Sequence, residues 1–208
     1  PEIVEALIQI LREQAHPRIA IVESNHSVGS AEEEFERMGF LELADRCDVE
    51  LVNLSKDRKH LVKVDGHYFT DFSAPETLLK MTKFISIAKL KTHSEQRMTA
   101  IMKNQFGLIP ERQKAKYHSY MSQVLADLNS MFVPDLCIID GIVSMEGAGP
   151  STGLPRRLGI LICGTNCVAT DAAAATVIGI KPACVPYLRF AERAGLGTTK
   201  FVTEGQYQ

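Results

Sequence analysis

Short apolar runs alternate with segments of helical period, and that alternation constrains this chain more than any other feature. Arg18–Glu23, Val49–Leu54, Phe84–Ala88, Leu136–Ile139 and Leu158–Cys163 are four to six residues long and rich in Ile, Val and Leu. Between them lie helical stripes: Ile3, Val4, Leu7, Ile8 and Leu11 near the start, then Met121, Val124, Leu125 and Leu128. Further helices are predicted near Pro75–Met81, Val168–Ile178 and Pro186–Ala194, and Ser30 with Glu33 forms a capping box for a helix that stops at Gly39. Strands alternating with helices imply an α/β fold with a mainly parallel sheet and helices on both faces. Leu61–Val64 and Tyr68–Thr70 around Asp65-Gly66 add one small β-hairpin.

Residues 1–208 read as a single domain, since no linker, repeat or low-complexity tract divides them. Pro1 suits a first helical position, but no capping residue precedes it, so the chain is expected to be a fragment of a longer parent.

Ligands of parallel sheets bind beyond the carboxyl ends of the strands. Two unusual polar segments, Lys89–Gly107 and Asp140–Gly153, begin at such ends. In the first, Lys89 and Lys91 share one side of an extended chain, with His93 beyond them. Thr99 and Lys103 are four apart and would share a helix face, with Asn104 beside them. Ammonium groups converging in this way suit phosphate or carboxylate. The second segment contains four glycines and no helical period. Gly147 and Gly149 would let backbone amides approach an anion, although no P-loop pattern is present. Asp140 and Glu146 could move a proton, with His93 as a further catalytic candidate; Asp140, Glu146 and Asp171 could hold a divalent metal. The bland alternatives are snorkelling surface lysines, a turn at Asp140-Gly141, and an Asp171 that merely favours a helix dipole. Of the other histidines, His26 and His118 could join the crevice, whereas His16, His60 and His67 read as surface or turn residues.

Charge sharpens the picture. The net charge is -2, yet Lys80–His118 holds nine Lys and Arg against two Glu. The acidic remainder argues against nucleic-acid binding. No apolar run is long enough to span a membrane and no leader is recognisable, so a cytoplasmic protein is expected. Five scattered cysteines fit free thiols, and their spacing offers no ligand set for zinc or an iron–sulfur cluster.

Lys89-Leu90-Lys91-Thr92-His93, Thr99–Gly107, the run Asp140–Pro150 and Thr170-Asp171 together resemble the bacterial and archaeal family called domain of unknown function 362. The resemblance covers about Pro1 to Gly197. It implies a strand with a Lys-Pro-Asn motif upstream of this chain, and company with ferredoxin-type iron–sulfur proteins. It implies no particular reaction. Two functions are therefore expected in competition. One is a small-anion (phosphate or carboxylate) site, which in its sharper form belongs to a metal-assisted enzyme. The other is a non-catalytic partner module that docks an acidic ferredoxin-like surface through its basic face.

Overall fold

The computed structural model describes residues 1–14, 17–149 and 152–205. His16, Pro150 and Ser151, all noted above, lie outside the described residues. The chain is α/β, and it divides into two compact units.

The first unit comprises Pro1–Asp65, Thr70–Met81 and Gly107–Ser119. Helix α1 (Glu2–Gln14) precedes β1 (Ala20–Glu23), and two helices, α2 (Ala31–Arg37) and α3 (Phe40–Cys47), lead to β2 (Glu50–Asn53). The Ser30–Glu33 capping box starts α2 as the sequence predicts. Helix α2 stops just before Gly39, as expected, and Gly39, at φ 73°, turns the chain directly into α3, a helix that the sequence reading lacks. Strands β1 and β2 pair in parallel, Ala20 with Glu50 through Glu23 with Asn53. A hairpin of β3 (Lys59–Lys63) and β4 (Asp71–Pro75) leads into the short α4 (Glu76–Lys80). Phe35, Leu43, Leu54, Phe72 and Leu78 are buried in this unit.

The second unit holds Gly66–Phe69, Thr82–Phe106 and Tyr120–Gln208. Its sheet has the order β6-β5-β7-β8, from β5 (Ile85–His93), β6 (Arg97–Thr99), β7 (Leu136–Glu146) and β8 (Leu154–Gly164). Only β5–β7 is parallel; β5–β6 and β7–β8 are antiparallel. The expected mainly parallel sheet is thus replaced by three small sheets of mixed type among the described residues. The physical reason is that β5 and β6, like β7 and β8, are joined by turns too short to cross over, and a short connection permits only antiparallel pairing.

Helices α5 (Ile101–Asn104), α6 (Met121–Met131), α7 (Cys167–Val177) and α8 (Pro186–Arg193) complete the unit. In α7 the run Ala172–Ala175 is buried throughout, and such small side chains allow a helix to lie close to a sheet. Buried Asp127 on α6 accepts the amides of His67, Tyr68 and Phe69 at 2.7, 2.8 and 2.9 Å. Gly66 serves that contact, since a Cβ there would lie 2.5 Å from Asp127 Oδ2. The Asp65-Gly66 pair is therefore part of a longer, carboxylate-organised connection and not a two-residue turn. Among the described residues no helix is long and apolar enough to cross a membrane.

Candidate functional site

The two polar segments carry more strand than their sequence shows. Strand β5 continues through Lys89 and Lys91 to His93, and β7 continues through Asp140 to Glu146. The register pairs Lys89 with Asp140 and Lys91 with Met145, with a bulge between. Gly141 permits this extension because a Cβ would come within 2.6 Å of the Ile160 side chain across the β7–β8 pair. Ile142 and Val143, β-branched, then suit an extended backbone.

Alternation along β5 buries Ser86, Ala88 and Leu90, and directs Lys89 and Lys91 to the other face. Lys91 lies opposite Thr99 of β6 in the antiparallel register, so their side chains are neighbours. Thr99 is therefore the end of a strand and not, as expected, on a helix face with Lys103; the helix begins at Ile101. Its hydroxyl oxygen is buried and has no hydrogen-bond partner among the described residues.

Lys103, on α5, has its pKa lowered to about 8. Burial is the main cause, and the positive charge of Lys91 adds to it, while Glu95 in the β5–β6 turn opposes both. Its ammonium nitrogen stands 5.7 Å from the centroid of the Phe106 ring. The two lysines and Glu95 thus form one electrostatically connected group in the second unit, with Thr99 beside Lys91 across the β5–β6 pair.

The other predicted residues have different work. Lys89 is paired with Asp140 at 2.5 Å, and the other oxygen of Asp140 accepts the Ile142 amide at 3.0 Å. Asp140 thereby fixes the bulge in its own strand. Glu146 follows Met145 and so points to the opposite face from the partner of Lys91; its carboxylate lies 4.0 Å from Arg156 on β8. His93, 8% exposed, uses Nδ1 to accept the amides of Glu95 and Gln96 at 3.2 and 3.3 Å. Those bonds require a lone pair on Nδ1, and they order the hairpin turn that carries Glu95. Asn104 donates to Ser86 Oγ and to the Ile87 carbonyl, tying α5 to β5.

The glycines dock the loop after β7 onto this hairpin. The Thr92 hydroxyl donates to the Gly147 carbonyl at 2.9 Å, and the Ser94 amide to the Gly149 carbonyl at 3.3 Å. Gly149 approaches so closely that a Cβ would lie 2.0 Å from the Thr92 carbonyl oxygen. Its own amide is engaged by the Gly147 carbonyl at 2.8 Å. Carbonyls, rather than the expected amides, are what this loop turns towards β5.

Asp171 is fully buried on α7 and accepts the amides of Ile101 and Met102 at 2.8 and 3.0 Å, and the Tyr187 hydroxyl at 3.2 Å. It anchors the start of α5, and through it Lys103, from a helix about 70 residues away in sequence. Asp140, Glu146 and Asp171 are thus held in three separate settings. Among the described residues no group of three or more His, Cys, Asp and Glu stands as metal ligands would.

Sequence reasoning missed a second ionisable cluster, in the first unit at the carboxyl end of β1. Lys114 donates to Ser24 Oγ at 2.5 Å, the Ser24 hydroxyl donates to the Gly107 carbonyl, and Glu23 accepts the Ser24 amide at 2.8 Å. Burial raises the pKa of Glu23 and lowers that of Lys114, and each one's charge opposes the other's shift. The Ser24–Gly29 loop is recognisable at a strand end, but nothing local connects it with Lys114.

The family described as "Domain of unknown function (DUF362)" matches residues 1–176. A thylakoid-associated protein of Synechocystis sp. is 29% identical over 206 residues, which cover 96% of this chain. The chain spans 63% of that relative's length. No solved structure matches it.

Proposed function

The chain belongs to the domain of unknown function 362 family, and from that premise we propose that its second unit binds a small anion, phosphate or carboxylate, through Lys91, Lys103 and Thr99. One observation carries the reading. A largely buried ammonium, Lys103, is kept beside a like charge, Lys91, whose neighbour across the strands, Thr99, has a buried hydroxyl with no partner among the described residues. Placing a second ammonium beside a desolvated one is costly, and a bound anion relieves the repulsion and compensates the desolvated charge. Lys89 is assigned a lesser part, because Asp140 already offsets its charge. His93, Asn104, Gly147 and Gly149 support the site by shaping the hairpin, α5 and the loop around it.

Thermal unfolding with added phosphate, sulfate or acetate, against chloride at equal ionic strength, tests the proposal. A ligand of the folded state raises its apparent stability. Stabilisation of the wild type should weaken in Lys91→Ala and Lys103→Ala and persist in Lys56→Ala and Lys63→Ala, whose lysines pair with Glu32 and Asp71 on the surface. Equal responses in all four variants would reduce the effect to solvent exclusion and defeat the proposal.

A further inference from the structure

Two sulfurs meet inside the second unit. Cys137 is the second residue of β7 and Cys167 the first of α7, and their Sγ atoms stand 3.8 Å apart across 30 residues of sequence. Both residues are buried. Bonded sulfurs are about 2.05 Å apart, so closure asks each Sγ to move roughly 0.9 Å. Cys137 pairs with Gly164 in the β7–β8 register, and Gly164 lies just before α7, so the sheet itself holds the start of that helix beside β7.

One of the two thiols also borders open space. A cavity of about 70 Å³ is lined by Cys167 together with Asn129, Thr165 and Asn166. Thr165 and Asn166 are themselves exposed, so the cavity opens to solvent. It has space for only a few water-sized molecules, which admits hydrogen peroxide and excludes a peptide disulfide.

We propose that Cys137 and Cys167 are a peroxide-responsive dithiol, which closes to a disulfide that locks the first turn of α7 to β7. The Cys167 sulfur attacks one oxygen of the peroxide, the O–O bond breaks, one water leaves, and Cys167 becomes a sulfenic acid. The Cys137 sulfur then attacks the Cys167 sulfur. The displaced hydroxyl leaves with the Cys137 proton as a second water, and the S–S bond forms. Two thiols lose two electrons and one peroxide becomes two waters.

The short separation secures the second step. The contact with Cys137, followed by burial, keeps the Cys167 thiol protonated, so the first step is slower than at an exposed cysteine. The pair therefore answers to sustained peroxide exposure. What sets it apart from exposed Cys163 and Cys184 is the product, an internal disulfide and not a sulfenic acid open to further oxidation. The lock lies one turn before Asp171, which holds the first amides of α5. The inference does not depend on the anion-site reading.

Peroxide treatment and disulfide mapping test it. Folded wild-type protein is exposed to excess hydrogen peroxide at pH 8, the remaining thiols are alkylated in urea, and the digest is mapped without reductant. Peptides joined through Cys137 and Cys167 should appear, and dithiothreitol should separate them. The melting temperature should rise by roughly 5–10 °C as the bond forms. Oxidised glutathione, too large for the cavity, should yield about tenfold less of the joined peptides in the same time. The link should persist in Cys163→Ser and Cys184→Ser and be lost in Cys167→Ala. Mapping of the wild type decides the matter whether or not Cys167→Ala folds. Recovery of Cys137 and Cys167 as alkylated thiols when Cys184 is fully oxidised would overturn the proposal, as would disulfides that join Cys163 or Cys184 instead. Equal closure by oxidised glutathione would overturn the assignment to peroxide.

Discussion

Asp171 and Ile101 are joined by a 2.8 Å hydrogen bond from the Ile101 amide to a carboxylate that is wholly enclosed by protein. The bond connects the alanine-rich helix α7 to the four-residue helix α5 that bears Lys103. So short a helix cannot hold itself, because nucleation costs more than its few hydrogen bonds return. The position of Lys103 is therefore set from outside its own segment.

Replacement of Asp171 tests that dependence. Burial raises its pKa to about 7, against the pull of the two amides and the Tyr187 hydroxyl. Between about pH 4 and pH 7 the folded state then holds the proton more tightly than the unfolded chain, so this group's contribution to stability falls as pH rises through that window. Asp171→Asn should abolish that slope, and losing an acceptor for one amide should cost about 1–3 kcal/mol at the acid end. Urea unfolding at pH 5 and pH 8 should show a wider gap between wild type and variant at pH 5. An equal gap at both values would contradict the assignment.

Lys103 makes the opposite pH prediction. Its folded pKa of about 8 lies below that of the unfolded chain, so the folded state binds fewer protons between about pH 8 and pH 10.5. Without added anion this group makes the protein more stable as pH rises through that range. Anion-dependent stabilisation should decline over the same range as the ammonium is lost. Phosphate titrations at pH 7 and pH 9.5 measure this, and a response that is unchanged in Lys103→Ala at either pH would count against it.

The glycines of the loop after β7 should differ in their tolerance. Gly149→Ala drives a Cβ into the Thr92 carbonyl and should cost about 1–3 kcal/mol by overpacking. Gly147 sits at φ 86°, yet nothing lies within 4 Å of its Cβ position. Gly147→Ala should therefore cost only the backbone strain, about 1 kcal/mol. Thermal melts that ranked Gly147→Ala as the more damaging would show the docking contact to be misassigned.

Thiol labelling provides a check on the core. The sulfurs of Cys137 and Cys167 are 3.8 Å apart and both residues are buried. Hydrogen bonding with Cys137, followed by burial, raises the pKa of the Cys167 thiol and suppresses its reactive thiolate. Iodoacetamide at pH 8 should modify exposed Cys184 well before Cys137 or Cys167, and all five cysteines in urea. Early modification of Cys167 in the native protein would refute this packing.

What the sequence alone determined is what local chemistry decides. The Ser30–Glu33 capping box, the apolar strand cores at Ile85–Ala88 and Leu136–Ile139, and the α/β class are all legible, because capping bonds and side-chain periodicity act within a few residues. The two segments singled out in the sequence do meet, with Thr92 bonded to Gly147 and Ser94 to Gly149. Strand direction was not legible, since the short β5–β6 and β7–β8 connections force antiparallel pairing only once the strands are known to run on to His93 and Glu146. Side-chain allegiance depended on that register. One bulge pairs Lys91 with Met145, and the two-residue period then sends Glu146 to the other face, towards Arg156. Burial, too, belongs to the tertiary structure alone. Nothing near Lys103 in the chain reveals that Asp171 will hold its helix or that its amine will be buried, because hydrogen bonding and desolvation act through space between residues that the sequence keeps apart.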